Sequence, residues 1–191
     1  GALSRLGAGD VVLVTGLAGA GRSRLLREAA LPAARAGALV LRVDFTGADH
    51  DELGALAPLL TRLGVALSGG DARIRRARIL VEAGRRLLVA AAGQPLVIAV
   101  DNAQAAPPAA REVLAALART LRGQERARAR LWIAWRDEEG ARDPSWLELA
   151  GPDEGSRLAL ELVAEAEGGC APPSPPLRPV LEVLALVARP L

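Results

Sequence analysis

The chain has no lysine, since all 24 of its Lys and Arg positions are arginine, and it has no methionine or tyrosine either. Its single cysteine, Cys170, excludes an internal disulfide framework and suits a reducing cytoplasm, where it reads as a passive thiol. No apolar run approaches the roughly 20 residues needed to cross a bilayer, and residues 1–10 lack the apolar stretch of a secretory signal. A dominant charge is also missing: 24 basic residues face 22 acidic ones, for a net charge of +2. That balance argues against a dedicated nucleic-acid surface. With no methionine and Gly1 in first position, the sequence reads as a piece of a longer protein. What is present is ample apolar material, 51% of 191 residues, enough for the core of a globular chain of one or two domains.

The stretch that organises the rest is Val11-Val-Leu-Val-Thr15 followed by Gly16-Leu17-Ala18-Gly19-Ala20-Gly21-Arg22-Ser23-Arg24. An apolar β-branched run of strand length passes into a glycine-rich turn and then into an amphipathic helical pattern. Gly16, Gly21 and Ser23 keep the register of the phosphate-loop pattern, a glycine, four residues, then Gly-Lys-Ser/Thr, with Arg22 in the lysine's place. Each residue type has a reason. Glycines let backbone N–H groups turn inward around phosphates, and a helix starting near Gly21 adds the positive end of its dipole. The Ser23 hydroxyl suits Mg²⁺, and Arg22 offers the β and γ phosphates a fixed charge, although a planar guanidinium is not equivalent to a compact ammonium. The bland alternative is a glycine-rich turn of another doubly wound fold.

Helical spacing of Leu25, Leu26, Ala29, Ala30, Ala33 and Ala34 predicts a helix from Arg22 to about Ala36, stopped by Gly37. A second strand is expected over 38–43, running into Asp44-Phe45-Thr46-Gly47, and a helix over 51–64 that includes Pro58. A long helix is expected from about Asp71 to Ala92, with Ile74, Ala77, Ile79, Leu80, Ala83, Leu87 and Leu88 toward the core. Its arginines 73, 75, 76 and 78 read as a solvated face in preference to a nucleic-acid patch.

Leu96-Val-Ile-Ala-Val100 is an unbroken apolar run capped by Asp101. A carboxylate at the C-terminal end of a buried parallel strand lies where open α/β sheets bind ligands, the position from which phosphoryl-transfer proteins hold Mg²⁺. Asn102 follows, where an acid would activate water; an amide has no useful basicity, so restoring an acid there is expected to raise turnover. Gln104 is read as a group that positions water. A helix over 108–121 presents Val113, Leu114, Leu117 and Leu121, and a strand over 129–135 ends in Arg136. Arg136 reads either as a sensor of the γ-phosphate or as a surface cation paired with Glu138 or Glu139. An edge strand is expected at 146–149 and a helix at 153–167, then a Pro-rich linker within 168–176 and the start of a further helical segment over 177–191.

The runs VVLVTGLAGAGRSRLLREA, LVIAVDNAQAAPPAAREVLAAL, RLWIAWRDEE and WLELAGPDEGSRLALELV together resemble the AAA-type ATPase domain of signal-transducing STAND proteins. That group includes LuxR-type transcriptional regulators and modules attached to bacterial serine/threonine kinases, related to origin-recognition ATPases. The resemblance covers residues 1–167. It implies an α/β three-layer sandwich with a parallel sheet of order 5-1-4-3-2 and ATP with Mg²⁺ as ligand. It also implies phosphate contacts at Gly16, Gly19, Gly21 and Arg22, metal contacts at Ser23 and Asp101, and a γ-phosphate sensor at Arg136. Arg22 for lysine, Asn102 for an acid, and Ala105–Pro107 for a Trp-Ala-Asp run are departures that bear on hydrolysis more than on binding.

The favoured expectation is a cytoplasmic regulatory module with slow hydrolysis, coupling ATP to neighbouring sensor or output domains, with nucleotide-dependent self-association as a further possibility. Two other readings stand beside it: a degenerate scaffold that binds no nucleotide, and an arginine-rich nucleic-acid-binding domain.

Overall fold

The computed structural model describes residues 11–47, 52–67, 71–122, 124, 128–136 and 157–160. Five strands form one parallel sheet: β1 (Val11–Gly16), β2 (Leu39–Asp44), β3 (Leu96–Asp101), β4 (Ala129–Arg136) and β5 (Arg157–Leu160). Their order is β2-β3-β4-β1-β5, which is 5-1-4-3-2 read from the other edge. Four helices are described, α1 (Arg22–Arg35), α2 (Ala57–Arg62), α3 (Ala72–Gly93) and α4 (Pro108–Arg122).

The sheet is covered on both faces, so its central strands are continuous apolar runs without alternation; every position of β3 is buried. Alternate residues serve two cores. Leu13, Ile98, Val100, Leu131 and Ile133 join the core that includes side chains of α2, α3 and α4, while Val12, Val14, Val97, Ala99, Trp132 and Ala134 join the core built with α1. This is the three-layer α/β sandwich that the family resemblance implies.

Local chemistry sets the helix limits. In α1, Leu25, Leu26, Ala29, Ala30 and Ala33 are buried and Ala34 is exposed, so the apolar stripe is one residue narrower than its spacing suggests. Gly37 and Ala38 donate to the carbonyls of Ala34 and Ala33 at 3.0 Å each, a Schellman closure that ends the helix and turns the chain into β2. Asp71 caps α3 by accepting from the Arg73 amide at 2.8 Å. In α4, Val113, Leu114, Leu117 and Leu121 are all fully buried, and shortening Leu114 to alanine would cost about 2–5 kcal/mol.

Three expectations are corrected. The helix expected over 51–64 is a 3₁₀ turn, Gly54–Leu56, followed by the short α2, because Pro58 belongs in a first turn and resists a longer N-terminal extension. In α3 the buried stripe is Ile79, Ala83, Leu87 and Ala91; Ile74 lies about 140° around the helix from Ile79 and is 69% exposed, and Ala77 is exposed as well. Residues 157–160, expected within a helix over 153–167, form edge strand β5 against β1. The two-residue alternation of Leu158 and Leu160 is the strand signal there. The expected strand at 146–149, the linker and the C-terminal segment lie outside the described residues. Among the described residues no helix is long and apolar enough to cross a membrane.

Candidate functional site

Side chains alternate across a strand, so the residues that follow Val14, Ala99, Ala134 and Val40 at even spacing stay on the α1 face of the sheet. Those residues are Gly16 on β1, Asp101 on β3, Arg136 on β4, and Arg42 and Asp44 on β2. Gly16 stands in register with Arg136, and Asp44 with Asp101. Functional groups therefore line the C-terminal edge of four neighbouring strands on the face from which α1 begins, in a stepped row: Val100 pairs with Ile133, so the Asp44–Asp101 pair stands two residues, roughly 7 Å, short of the Gly16–Arg136 pair.

Between β1 and α1 the loop 17–21 folds on itself through an amide of Ala20 donating to Leu17 at 3.1 Å. Gly19 and Gly21 have φ of 80° and 85°, and a Cβ at either would meet nothing within 4 Å; left-handed backbone, not crowding, is what requires glycine there. Gly21 is the N-cap of α1 and supplies no side-chain cap, and the first turn carries no acidic residue. The first-turn amides of Arg22, Ser23 and Arg24 are thus donors of the kind that hold an anion.

Arg22 bends back over this loop and donates through Nη1 to the carbonyls of both Gly16 and Leu17. Burial holds its pKa below that of a free guanidinium, the Arg136 charge lowers it further, and Asp101 works in the opposite direction. These opposing influences place Arg22, Arg136 and Asp101 within one electrostatic neighbourhood. Ser23 is half-buried on the first turn of α1.

Asp101 is 7% exposed, and its Oδ1 accepts from the Asn102 amide at 2.9 Å. Asn102 has φ 53°, the one left-handed residue besides glycine among those described, a conformation that asparagine tolerates. Its Nδ2 donates to Asp44 Oδ1 at 2.9 Å and to Thr46 Oγ1 at 2.5 Å. Gln104 Nε2 reaches Asn102 Oδ1 at 3.5 Å, and Gln104 Oε1 accepts from the Arg136 amide at 3.1 Å. Gln104 thereby ties β4 to the end of β3.

Asp44 and Thr46 are the residues that sequence reasoning missed. The Thr46 amide closes an Asx turn on Asp44 Oδ1 at 2.8 Å. Burial raises the Asp44 pKa, but the Asn102 amide, the Thr46 amide and hydroxyl, and the Arg42 charge outweigh it and hold the carboxyl below its usual value. The available signal was the repeated ending Val-Asp, in LVLRVD and in LVIAVD. Of the alternatives for Arg136, pairing with Glu138 or Glu139 lies outside the described residues.

The donor set fits a nucleoside triphosphate with a hard cation. Mg²⁺ is bound through one or two carboxylates together with substrate phosphates, and Asp101 supplies a nearly buried carboxylate beside the loop. The described residues contain no group of three or more His, Cys, Asp or Glu that could hold a metal by themselves, so a cation shared with phosphates suits the residues better than a protein-only cage.

No curated protein matches the chain. Among solved structures, the Orc1 protein of Aeropyrum pernix, determined in complex with DNA, is similar with a TM-score of 0.50 and 20% sequence identity, over 92% of this chain and 43% of that one. The chain therefore spans less than half the length of that protein, and at this identity the likeness concerns the fold alone. A family model described as AAA ATPase domain matches residues 1–133, a segment that holds both the glycine loop and Asp101. A nucleotide-binding P-loop module is what this combination of loop, strand-end carboxylate and sheet amounts to, and the chain belongs to the AAA ATPase domain family.

Proposed function

We propose that this domain binds ATP with Mg²⁺ and serves as a nucleotide-dependent switch in a bacterial signalling or transcription-control protein, with slow hydrolysis. The observation that carries the reading is the glycine-rich loop running into an uncapped helix start, with Asp101 and Arg136 at strand ends on the same face of the sheet. In this reading the amides from Leu17 to Ser23 hold the β-phosphate, Arg22 supplies charge, and Ser23 and Asp101 hold the cation. Arg136 meets the γ-phosphate. When bound, Mg²⁺ supplies charge neutralisation on the β and γ oxygens. The chain's residues otherwise position water and phosphates, which is most of what phosphoryl transfer asks of a protein. Switching requires that ATP bind one conformation better than another, and neighbouring domains of a longer chain, or a second copy, would read the difference.

Titration calorimetry with ATP, with and without Mg²⁺, tests this. Micromolar affinity that depends on Mg²⁺ supports the reading. No heat at millimolar ATP would leave the scaffold reading in its place, and Arg22 folded onto the Gly16 and Leu17 carbonyls is the specific observation that favours that second reading. The nucleic-acid reading draws less support. The Orc1 protein similar in fold was determined with DNA, but here Arg76 is paired with Glu112 at 2.6 Å and Arg78 donates to the Ala66 carbonyl at 3.3 Å.

A further inference from the structure

We propose that Asp44, at the end of β2, is the carboxylate that orients the attacking water by accepting a hydrogen bond from it, in place of the acid that position 102 lacks. The inference rests on the reading of the domain as an ATP-binding one.

Three observations carry it. The first is placement. Asp44 stands in register with Asp101 on the neighbouring strand, and adjacent strands lie about 4.8 Å apart, so it is the group beside Asp101 on the same α1 face. The second is how it is held. Asn102 Nδ2 and the Thr46 amide both donate to Asp44 Oδ1, at 2.9 and 2.8 Å. A carboxylate has about four acceptor sites, so these bonds fix its orientation and leave capacity for water. The third is the strand-end turn. The left-handed backbone of Asn102 brings its amide to the Asp44 side of the row, so the side chain directly after Asp101 presents a carboxylate that belongs to another strand. Asp44 itself remains exposed to solvent, so water can reach it.

The step balances as follows. Water oxygen forms a bond to the γ-phosphorus as the bond to the β–γ bridging oxygen breaks, and ADP leaves with that electron pair. The proton released from water passes to an oxygen of the product phosphate or to solvent. Because the transition state is loose, proton transfer comes late, and orientation of the water is the larger part of the task.

The test uses Asp44→Asn and Asp44→Glu. Three quantities are read: ATP affinity by calorimetry, single-turnover release of labelled phosphate, and affinity for ADP with aluminium fluoride, a mimic of the transferring phosphoryl group that binds tightly only where the transition state is supported. In Asp44→Asn we expect ATP affinity within about threefold of wild type, turnover lower by about a hundredfold, and loss of the tight aluminium fluoride complex. Asp44→Glu, which restores the carboxylate, should recover part of both losses; failure to recover either counts against the proposal. Wild-type turnover and analogue affinity in Asp44→Asn, with ATP bound, overturn the role of Asp44 alone, as does ATP bound without any turnover by the wild type. No ATP binding by the wild type overturns the underlying reading, and this inference with it.

Discussion

Asn102 donates its side-chain amide to the Asp44 carboxylate at 2.9 Å across two neighbouring strand ends. An amide donates and accepts, whereas a carboxylate only accepts. Viewed from the sequence, Asn102 is a missing acid, and replacing it with one is expected to speed hydrolysis. The geometry reverses that expectation: Asn102→Asp removes the donor to Asp44 and Thr46 and sets two negative charges against each other. The variant should lose about 1 kcal/mol of stability, the scale of a charged hydrogen bond at an exposed position, and turn over ATP no faster than wild type. Urea denaturation and single-turnover phosphate release measure the two effects. A faster enzyme of unchanged stability would refute the argument.

The same contact predicts a pH effect of definite sign. Burial pushes the Asp44 carboxyl up, but the bonds from Asn102 and Thr46 and the Arg42 charge hold it below its usual value in the folded state. A depressed carboxyl contributes stability that is present above its unfolded pKa, about 3.9, and lost as pH falls through the folded value. Asp44→Asn should therefore melt below wild type at about pH 6 and converge with it as pH falls through the folded-state pKa, which lies below the unfolded one. The gap should be small, because the group is exposed. Melting curves of both proteins across that range decide it, and curves that stay parallel would remove Asp44 as the source.

Packing between α3 and α4 has its own tight point. A Cβ on Gly84 would lie 2.6 Å from Thr120 Oγ1, and that hydroxyl is tied to the Ala116 carbonyl at 2.8 Å, so it does not swing away freely. Glycine to alanine inside a helix ordinarily stabilises by about 1 kcal/mol, while overpacking costs about 1–3 kcal/mol. With the hydroxyl fixed, the clash wins. Gly84→Ala should be destabilising by about 1 kcal/mol, and adding Thr120→Ala should recover more than additivity allows. Urea midpoints of the two single variants and the double variant provide the measurement.

How far the sequence could be read follows from how local each signal is. The strands β1, β3 and β4 are legible because burial on both faces makes them unbroken apolar runs, and α4 because its stripe has one period and nothing competes with it. The glycine loop and Asp101 are legible because each is a short motif next to such a run. Edge strand β5 is not, since Leu158 and Leu160 also fit a helical window and only pairing with β1 decides between them. Ile74 and Ala77 are misplaced because an apolar residue on a long helix does not announce which face it occupies. The partnership of Asp44 with Asn102 joins residues 58 apart in sequence, and that of Gln104 with the Arg136 amide spans 32. Both come from strand register, which spacing along the chain does not reveal.

Arg22 sits where a lysine normally reaches the phosphates, and its Nη1 already donates to the Gly16 and Leu17 carbonyls. Phosphates must compete with those carbonyls for Nη1, and burial, with the repulsion of Arg136, already disfavours the charged guanidinium there. Lysine carries its charge as a compact point on a flexible stem, so Arg22→Lys should bind Mg-ATP more tightly, by about fivefold or about 1 kcal/mol. Arg22→Ala removes the charge and should bind about tenfold more weakly than wild type, a change of about 1.4 kcal/mol. Calorimetry on the three proteins at one Mg²⁺ concentration gives the order directly. Lysine tightest and alanine weakest is the order required if the residue at this position attracts phosphate. If alanine binds most tightly, then the wild-type side chain blocks the loop, and its charge contributes less to ATP than its bulk takes away.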